Sequence, residues 1–234
     1  MKIKAQLIAG VLALAVGSPA FAYEEITVSE GGTLTGTVKL EGTVPKPKGY
    51  NLTTLPDPFY CGRISDGQGW RILQPFQVGP AGEFREVVVY LEGIDKGKPF
   101  AEKTVPQIEA RDCLFLPFTT VVRDDQSVTV VNMDPVMHDI QAYETSNLGA
   151  RVLFNVPLPM NPQHPRNFKD RTEAGMYHKH MAGPPMKELV KLSKNRRIFV
   201  MQCGFYAYME SWGVAITNPY FAKTDEQGRF TLTD

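Results

Sequence analysis

Apolar and polar residues alternate with a period of two over several stretches of the chain. Thr33-Leu34-Thr35-Gly36-Thr37-Val38-Lys39-Leu40 and Ser127-Val128-Thr129-Val130-Val131-Asn132 alternate, and residues 86–91 form an apolar run rich in β-branched side chains. Each predicts a strand, because successive side chains of an extended chain point to opposite faces. Residues 189–192 and 197–201 flank Ser193-Lys194-Asn195-Arg196, a composition that predicts a hairpin turn. Residues 213–217 predict a further strand leading into a last hairpin, where Asp225-Glu226-Gln227-Gly228 turns the chain into Arg229-Phe230-Thr231-Leu232. Short strands joined by segments that carry most of the 18 prolines and 20 glycines predict an all-β antiparallel sandwich or barrel.

Two stretches stand outside this pattern. Val44-Pro45-Lys46-Pro47-Lys48 and Leu55-Pro56-Asp57-Pro58 predict an extended, non-helical connection, since the residue before a proline is driven out of the helical region. Residues 150–185 are rich in proline, asparagine and charge and predict one long loop, of a length usually tied to function or motion. That stretch holds His164, His178 and His180, three of the four histidines.

The chain opens with Met1-Lys2-Ile3-Lys4, a short apolar stretch from Leu7 to Val16, and Ala20-Phe21-Ala22. A basic start, an apolar core too short to span a bilayer and a small-x-small site predict a secretory signal peptide over 1–22. A mature chain from Tyr23 and a periplasmic or secreted location follow, with no membrane span. The formal net charge of zero becomes −2 without Lys2 and Lys4. That balance argues against nucleic acid or an anionic membrane as a main partner, and the cluster Lys191, Lys194, Arg196 and Arg197 reads as a solvated turn. In an oxidising compartment Cys61 and Cys113, both in loop-like surroundings, are expected to pair. Cys203 is then left over, as a small buried hydrophobe or as a metal thiolate.

The context of Cys203 favours metal chemistry. Met201-Gln202-Cys203-Gly204-Phe205-Tyr206-Ala207-Tyr208-Met209 places a thiol and a thioether on one short loop after an apolar strand, with His138 well upstream. Thiolate, imidazole and thioether suit copper in both oxidation states. Together with Gly36-Thr37-Val38, Val87-Val88-Val89-Tyr90-Leu91-Glu92-Gly93, Cys113-Leu114-Phe115-Leu116-Pro117, Asn132-Met133-Asp134-Pro135-Val136-Met137-His138-Asp139, Leu153-Phe154-Asn155 and the run from Asn218 to Phe230, the chain resembles exported plastocyanin-like or methylamine-utilisation-like cupredoxin-domain proteins. In these a carboxypeptidase-regulatory-like β segment joins a blue-copper sandwich.

The resemblance implies a cupredoxin-like Greek-key β-sandwich over 111–234 packed with an N-terminal β segment over 23–110. It also implies a type 1 copper site linked to electron transfer or copper handling, and a redox partner protein such as a cytochrome. Carried over by position, His138 is the upstream imidazole, Cys203 the thiolate and Met209 the axial thioether, while Asn132 braces the histidine loop. The family usually has Cys-x-x-His-x-x-Met; here Tyr206 stands at the second imidazole. A neutral phenol is a poor ligand, and three outcomes are open. The site is lost and the sandwich serves as a metal-free interaction module or as a subunit of an exported complex; or His178 or His180 supplies the missing nitrogen; or Tyr206 itself ligates.

Enzyme chemistry has little support. For Cys203 and His138 no orienting third residue and no oxyanion loop is evident in the sequence. No Gly-rich phosphate loop, His-Glu-x-x-His or Cys-x-x-Cys-His motif occurs.

Overall fold

The computed structural model describes residues 23–234 except 63, 65, 67, 102–104, 125, 147–148, 165–179 and 194–195. The expected signal peptide and His178 lie outside the described residues. In chain order the strands are β1 (Glu24–Glu25), β2 (Thr33–Thr37), β3 (Lys48–Asn51), β4 (Trp70–Leu73), β5 (Val88–Tyr90), β6 (Lys96–Gly97), β7 (Gln107–Arg111), β8 (Leu114–Leu116) and β9 (Thr119–Arg123). They continue with β10 (Ser127–Asn132), β11 (His138–Ser146), β12 (Gly149–Leu158), β13 (Met186–Leu189), β14 (Ile198–Gln202), β15 (Glu210–Ile216), β16 (Phe221–Lys223) and β17 (Arg229–Thr233). Among the described residues the single helical element is a 3-10 turn, Leu52–Thr54.

Two sheets make the expected all-β sandwich. One has the order β13-β10-β7-β8 and the other β12-β11-β14-β15-β9. The chain crosses between them after β8, β9, β10, β12 and β13, which places β7 beside β10 and β9 beside β15 in parallel. Alternation builds the core. Ile108 and Ala110 of β7 and Val128 and Val130 of β10 belong to one buried cluster with Ile140 and Ala142 of β11 and Phe199 and Met201 of β14. Gly213 pairs across the ladder with Phe199. A Cβ there would run into the phenyl ring, so the bare backbone of β15 lets that ring lie flat beneath it.

Local turn chemistry did not decide strand partners. The hairpin expected around residues 193–196 is a crossing instead: β13 pairs with β10 in one sheet and β14 with β11 in the other. β14 carries Phe199 and Met201 inward and buries them from the five-stranded sheet, against the residues of the other sheet. The loop expected over 150–185 opens as strand β12, ten residues paired with β11 across a register shift at Ala142 and Tyr143. Val152 to Val156 had enough apolar character to pair, although proline and charge further on dominate the window.

The chain's two ends are interleaved. β17 pairs with β2 and β16 with β5, so the closing hairpin lies on strands of the N-terminal segment. The position expected to divide the two parts, 110/111, falls inside β7 of the sandwich. Cys61 and Cys113 form the expected disulfide between the N-terminal segment and the β7–β8 turn.

Candidate metal centre

His138 opens β11 after a five-residue loop that Asn132 holds. The Asn132 side chain donates to the carbonyls of Val136, 2.9 Å away, and Leu158, 3.1 Å away, and accepts from the Asp134 N–H at 2.9 Å. This brace turns His138 inward, where it is fully buried. Its Nε2 lies 2.9 Å from Asp134 Oδ2.

Asp134, also fully buried, accepts from four groups: the Tyr60 hydroxyl at 2.8 Å, the Asp112 N–H at 2.8 Å, the Cys113 N–H at 2.9 Å and His138. The first three are donors by chemistry, so the carboxylate is the acceptor toward His138 as well. The imidazole hydrogen therefore sits on Nε2 and the Nδ1 lone pair faces the other way, the arrangement by which carboxylates orient metal-binding histidines. Asp112 and Cys113 present their N–H groups from consecutive left-handed conformations, with φ of 55° and 52°, a backbone concavity suited to an anion. Arg71 steadies the same turn, donating to the Asp112 carbonyl at 2.6 Å.

Cys203 follows β14 directly. The Cys203 N–H donates to the Met209 carbonyl at 3.1 Å and the Met209 N–H to the Tyr206 carbonyl at 2.8 Å, which closes residues 203–209 into a compact loop. Cys203 Sγ lies 3.9 Å from His138 Nδ1 and 3.2 Å from Asp139 Oδ1; that carboxylate also accepts from the Gly204 N–H at 2.6 Å. Burial pushes the Cys203 thiol up to about 12, so without a cation it is neutral. Met209 is fully buried in the same cluster.

Tyr206 occupies the neighbouring space with its ring. The ring meets His138 edge-on, with centroids 5.2 Å apart, while the hydroxyl donates to Asp57 Oδ2 at 2.9 Å. Burial pushes this phenol up, and the bond to Asp57 adds to the shift. Asp57 is exposed, so Tyr206 carries a hydrogen bond from the core to a surface carboxylate of the N-terminal segment. Tyr208 packs 5.4 Å from Tyr50, and its buried hydroxyl has no partner among the described residues.

His180 stands elsewhere. Its Nδ1 lies 3.3 Å from the Met133 carbonyl and 3.9 Å from Asp134 Oδ1, and its Nε2 is 3.5 Å from Asp112 Oδ1. It approaches the Oδ1 side of Asp134, whereas His138 takes Oδ2 and meets Cys203 with its opposite edge. The structure thus brings His138, Cys203, Tyr206 and Met209 into one buried cluster and keeps His180 on the far side of Asp134.

The donor set fits a soft cation of low coordination. The 3.9 Å gap between His138 Nδ1 and Cys203 Sγ is spanned by one ion at bonds of ~2.0 Å to nitrogen and ~2.3 Å to sulfur. A second imidazole is absent from the described surroundings, and the Tyr206 oxygen is engaged by Asp57. Reading the sequence missed Asp134, Asp139, Asp57 and Tyr60. A signal existed for Asp134 alone, an acidic residue four positions before the histidine on a single loop; Asp57 and Tyr60 arrive from more than 70 residues away.

No family model matches the sequence, and no curated protein matches it. Among solved structures it is similar to a novel purple cupredoxin from Nitrosopumilus maritimus at 17% identity, covering 47% of this chain and 99% of that one with a TM-score of 0.32. It is similar to a reduced auracyanin from Roseiflexus castenholzii at 10% identity, covering 50% and 99% with a TM-score of 0.30. A mutant of amicyanin in its Cu(I) form matches at 10% identity, covering 55% and 98% with a TM-score of 0.29. Likeness at this level assigns neither a metal nor a partner to this chain.

Proposed function

We propose that this is an exported cupredoxin-like protein with an altered copper centre, in which His138, Cys203 and Met209 act as ligands without a second imidazole, linked to copper handling or electron transfer. One observation carries the reading: His138 lies between the buried Asp134 carboxylate, 2.9 Å from its Nε2, and the Cys203 sulfur, 3.9 Å from its Nδ1, so a carboxylate that draws the imidazole hydrogen to Nε2 turns the Nδ1 lone pair toward the sulfur. Copper, when bound, would supply one-electron exchange between its two oxidation states, and thiolate with thioether favours Cu(I).

The remaining work belongs to the chain. Asp134 keeps His138 in the ligating tautomer. The 203–209 loop presents the thiol, and Asp139 fixes the approach of Gly204. Tyr206 fills the space beside His138 and keeps water out. Met137 and Phe205, 47% and 48% exposed, flank the ligands in sequence and are the apolar surface we assign to a redox partner such as a cytochrome. The signal-like N-terminus supports a periplasmic or secreted setting, and no described helix is long and apolar enough to cross a membrane. The reading assigns no catalysis and no nucleic acid.

The test is a copper titration of reduced protein, with Cu(I) followed by competition against a chromophoric chelator and Cu(II) by absorption and electron paramagnetic resonance. One copper per chain, lost in His138→Gln and in Cys203→Ala, is the expected result; folded protein that binds no stoichiometric copper overturns it. A second reading, a metal-free interaction module, rests on the bonds that already occupy this site, the thiol to Asp139 and the phenol to Asp57. In that case partner association survives Cys203→Ala unchanged.

A further inference from the structure

Two tyrosine–aspartate bonds cross the join between the N-terminal segment and the sandwich, and their acceptors differ. Tyr60 donates to Asp134 at 2.8 Å and Tyr206 to Asp57 at 2.9 Å. Asp134 is fully buried and already accepts from three other groups, so it takes up no proton without breaking a bond. Asp57 is exposed, with solvent beside it to carry a proton onward. The ring of Tyr206 is itself fully buried against His138. From it a file of rings runs outward, to Tyr208 at 6.2 Å between centroids and from Tyr208 to the partly buried Tyr50 at 5.4 Å. The three hydroxyls are placed differently: that of Tyr208 is buried with no partner among the described residues, and the Tyr50 ring lies 4.9 Å from the Lys48 ammonium.

We propose that Tyr206 is a redox-active tyrosine, which gives one electron to an oxidant at the surface, a diffusing radical or an outer-sphere metal complex, while its hydroxyl proton passes to Asp57. The electron leaves along Tyr208 and Tyr50 and the Tyr206 O–H bond breaks. The products are a neutral phenoxyl radical, a protonated Asp57 carboxyl and the oxidant reduced by one electron. One electron from a thiol or another reductant, with the proton returned from Asp57, restores the phenol. The surroundings put the hole on Tyr206 and not on its neighbours in the file. An oxidised phenol is strongly acidic and settles where a positioned base within hydrogen-bond reach takes the proton, as Asp57 does. Tyr208 has no such acceptor, and the positive charge of Lys48 opposes a hole on Tyr50, whereas the negative charge of Asp57 favours one on Tyr206. Burial of the Tyr206 ring then keeps the radical from coupling with another molecule. The step uses the chain's own residues and needs no metal.

The test is flash oxidation of the metal-free protein by photogenerated tris(bipyridine)ruthenium(III), with persulfate as the terminal electron acceptor, followed by transient absorption and freeze-quench electron paramagnetic resonance. A long-lived tyrosyl signal is expected. Surface radicals, such as one at Tyr90 beside Glu92, decay sooner by coupling. Tyr206→Phe keeps the ring and its packing and should abolish the long-lived signal. In Asp57→Asn the signal should form about a hundredfold more slowly, the lower end of what a positioned base contributes to a proton transfer, and it should also form more slowly in Tyr50→Leu. Asp57 has a φ of 51°, a conformation asparagine adopts readily, so the amide variant keeps the local backbone, and circular dichroism checks all three. No long-lived tyrosyl signal in the wild-type protein, a signal undiminished in Tyr206→Phe, or a rate unchanged in Asp57→Asn or in Tyr50→Leu overturns the proposal. Because the experiment is run without copper, its result is independent of whether His138 and Cys203 bind the metal.

Discussion

Replacing Asp134 by asparagine tests the centre at the point where most of its contacts meet. The carboxylate, itself fully buried, accepts from Tyr60, the N–H groups of Asp112 and Cys113, and His138, all at 2.8 to 2.9 Å. An amide keeps one accepting oxygen and turns the other position into a donor. If the NH2 takes the Oδ2 position, it faces both the Cys113 N–H and His138 Nε2–H. His138 can answer by moving its hydrogen to Nδ1, but the Cys113 N–H cannot. Loss of a charge-assisted bond costs ~1.5–3 kcal/mol and an orphaned buried N–H ~1–3 kcal/mol. Asp134→Asn is therefore expected to lose about 3–5 kcal/mol, the range measured when one partner of a buried pair is removed. For a chain of this size that is a fall in melting temperature of roughly 10 °C or more. Urea denaturation followed by circular dichroism measures it. The same shift of hydrogen puts an N–H on the face toward Cys203, so copper affinity should drop about 100-fold. A variant within about 1 kcal/mol of wild type that binds copper equally well would refute the assignment of Asp134 as the orienting group.

Tyr206→Phe removes only the donor to exposed Asp57, which water can re-solvate, so the loss should be about 1 kcal/mol by chemical denaturation. Tyr206→His should give strong blue absorption with Cu(II); a colourless, folded variant would show that the pocket no longer accommodates the metal. Because burial holds the Cys203 thiol neutral up to about 12 from an ordinary value of 9.0, the unfolded chain loses a proton between those values that the folded chain keeps. Stability should then fall as pH rises through that window, by up to about 4 kcal/mol, and the excess slope should vanish in Cys203→Ala when both are measured side by side. Opening the Cys61–Cys113 disulfide, which spans 52 positions, should cost about 4 kcal/mol in the chain-entropy account. It should also loosen the turn that donates to Asp134, seen as faster amide exchange at Asp112 and Cys113.

How far the fold could be read in advance depended on whether a segment's face and its partner carry the same information. β10 was predicted over its full length, because Val128 and Val130 alternate with polar residues and nothing local competes. β12 was hidden by the prolines and charges that follow it. The turn at 193–196 suggested a hairpin, yet turn chemistry describes only where the chain reverses. It does not say whether the next strand returns to the same sheet, and burial of Phe199 and Met201 sent β14 to the other one. That His138, Cys203 and Met209 are to be considered together was legible because three unusual donors share a short motif and an upstream loop. His180 was equally visible as a residue, but its location on the far side of Asp134 was not.

Taken alone, the sequence determined the all-β class and the oxidised cysteine pair, since alternation and cysteine context are properties of residues and their near neighbours. Tertiary structure alone decided which edge of His138 faces Cys203, that the Tyr206 hydroxyl turns to Asp57, and that His164 and His180 meet at the Met133 carbonyl. Each of these depends on groups brought together from distant strands, where a hydrogen bond's direction follows from the packed geometry of both partners and no local pattern encodes it.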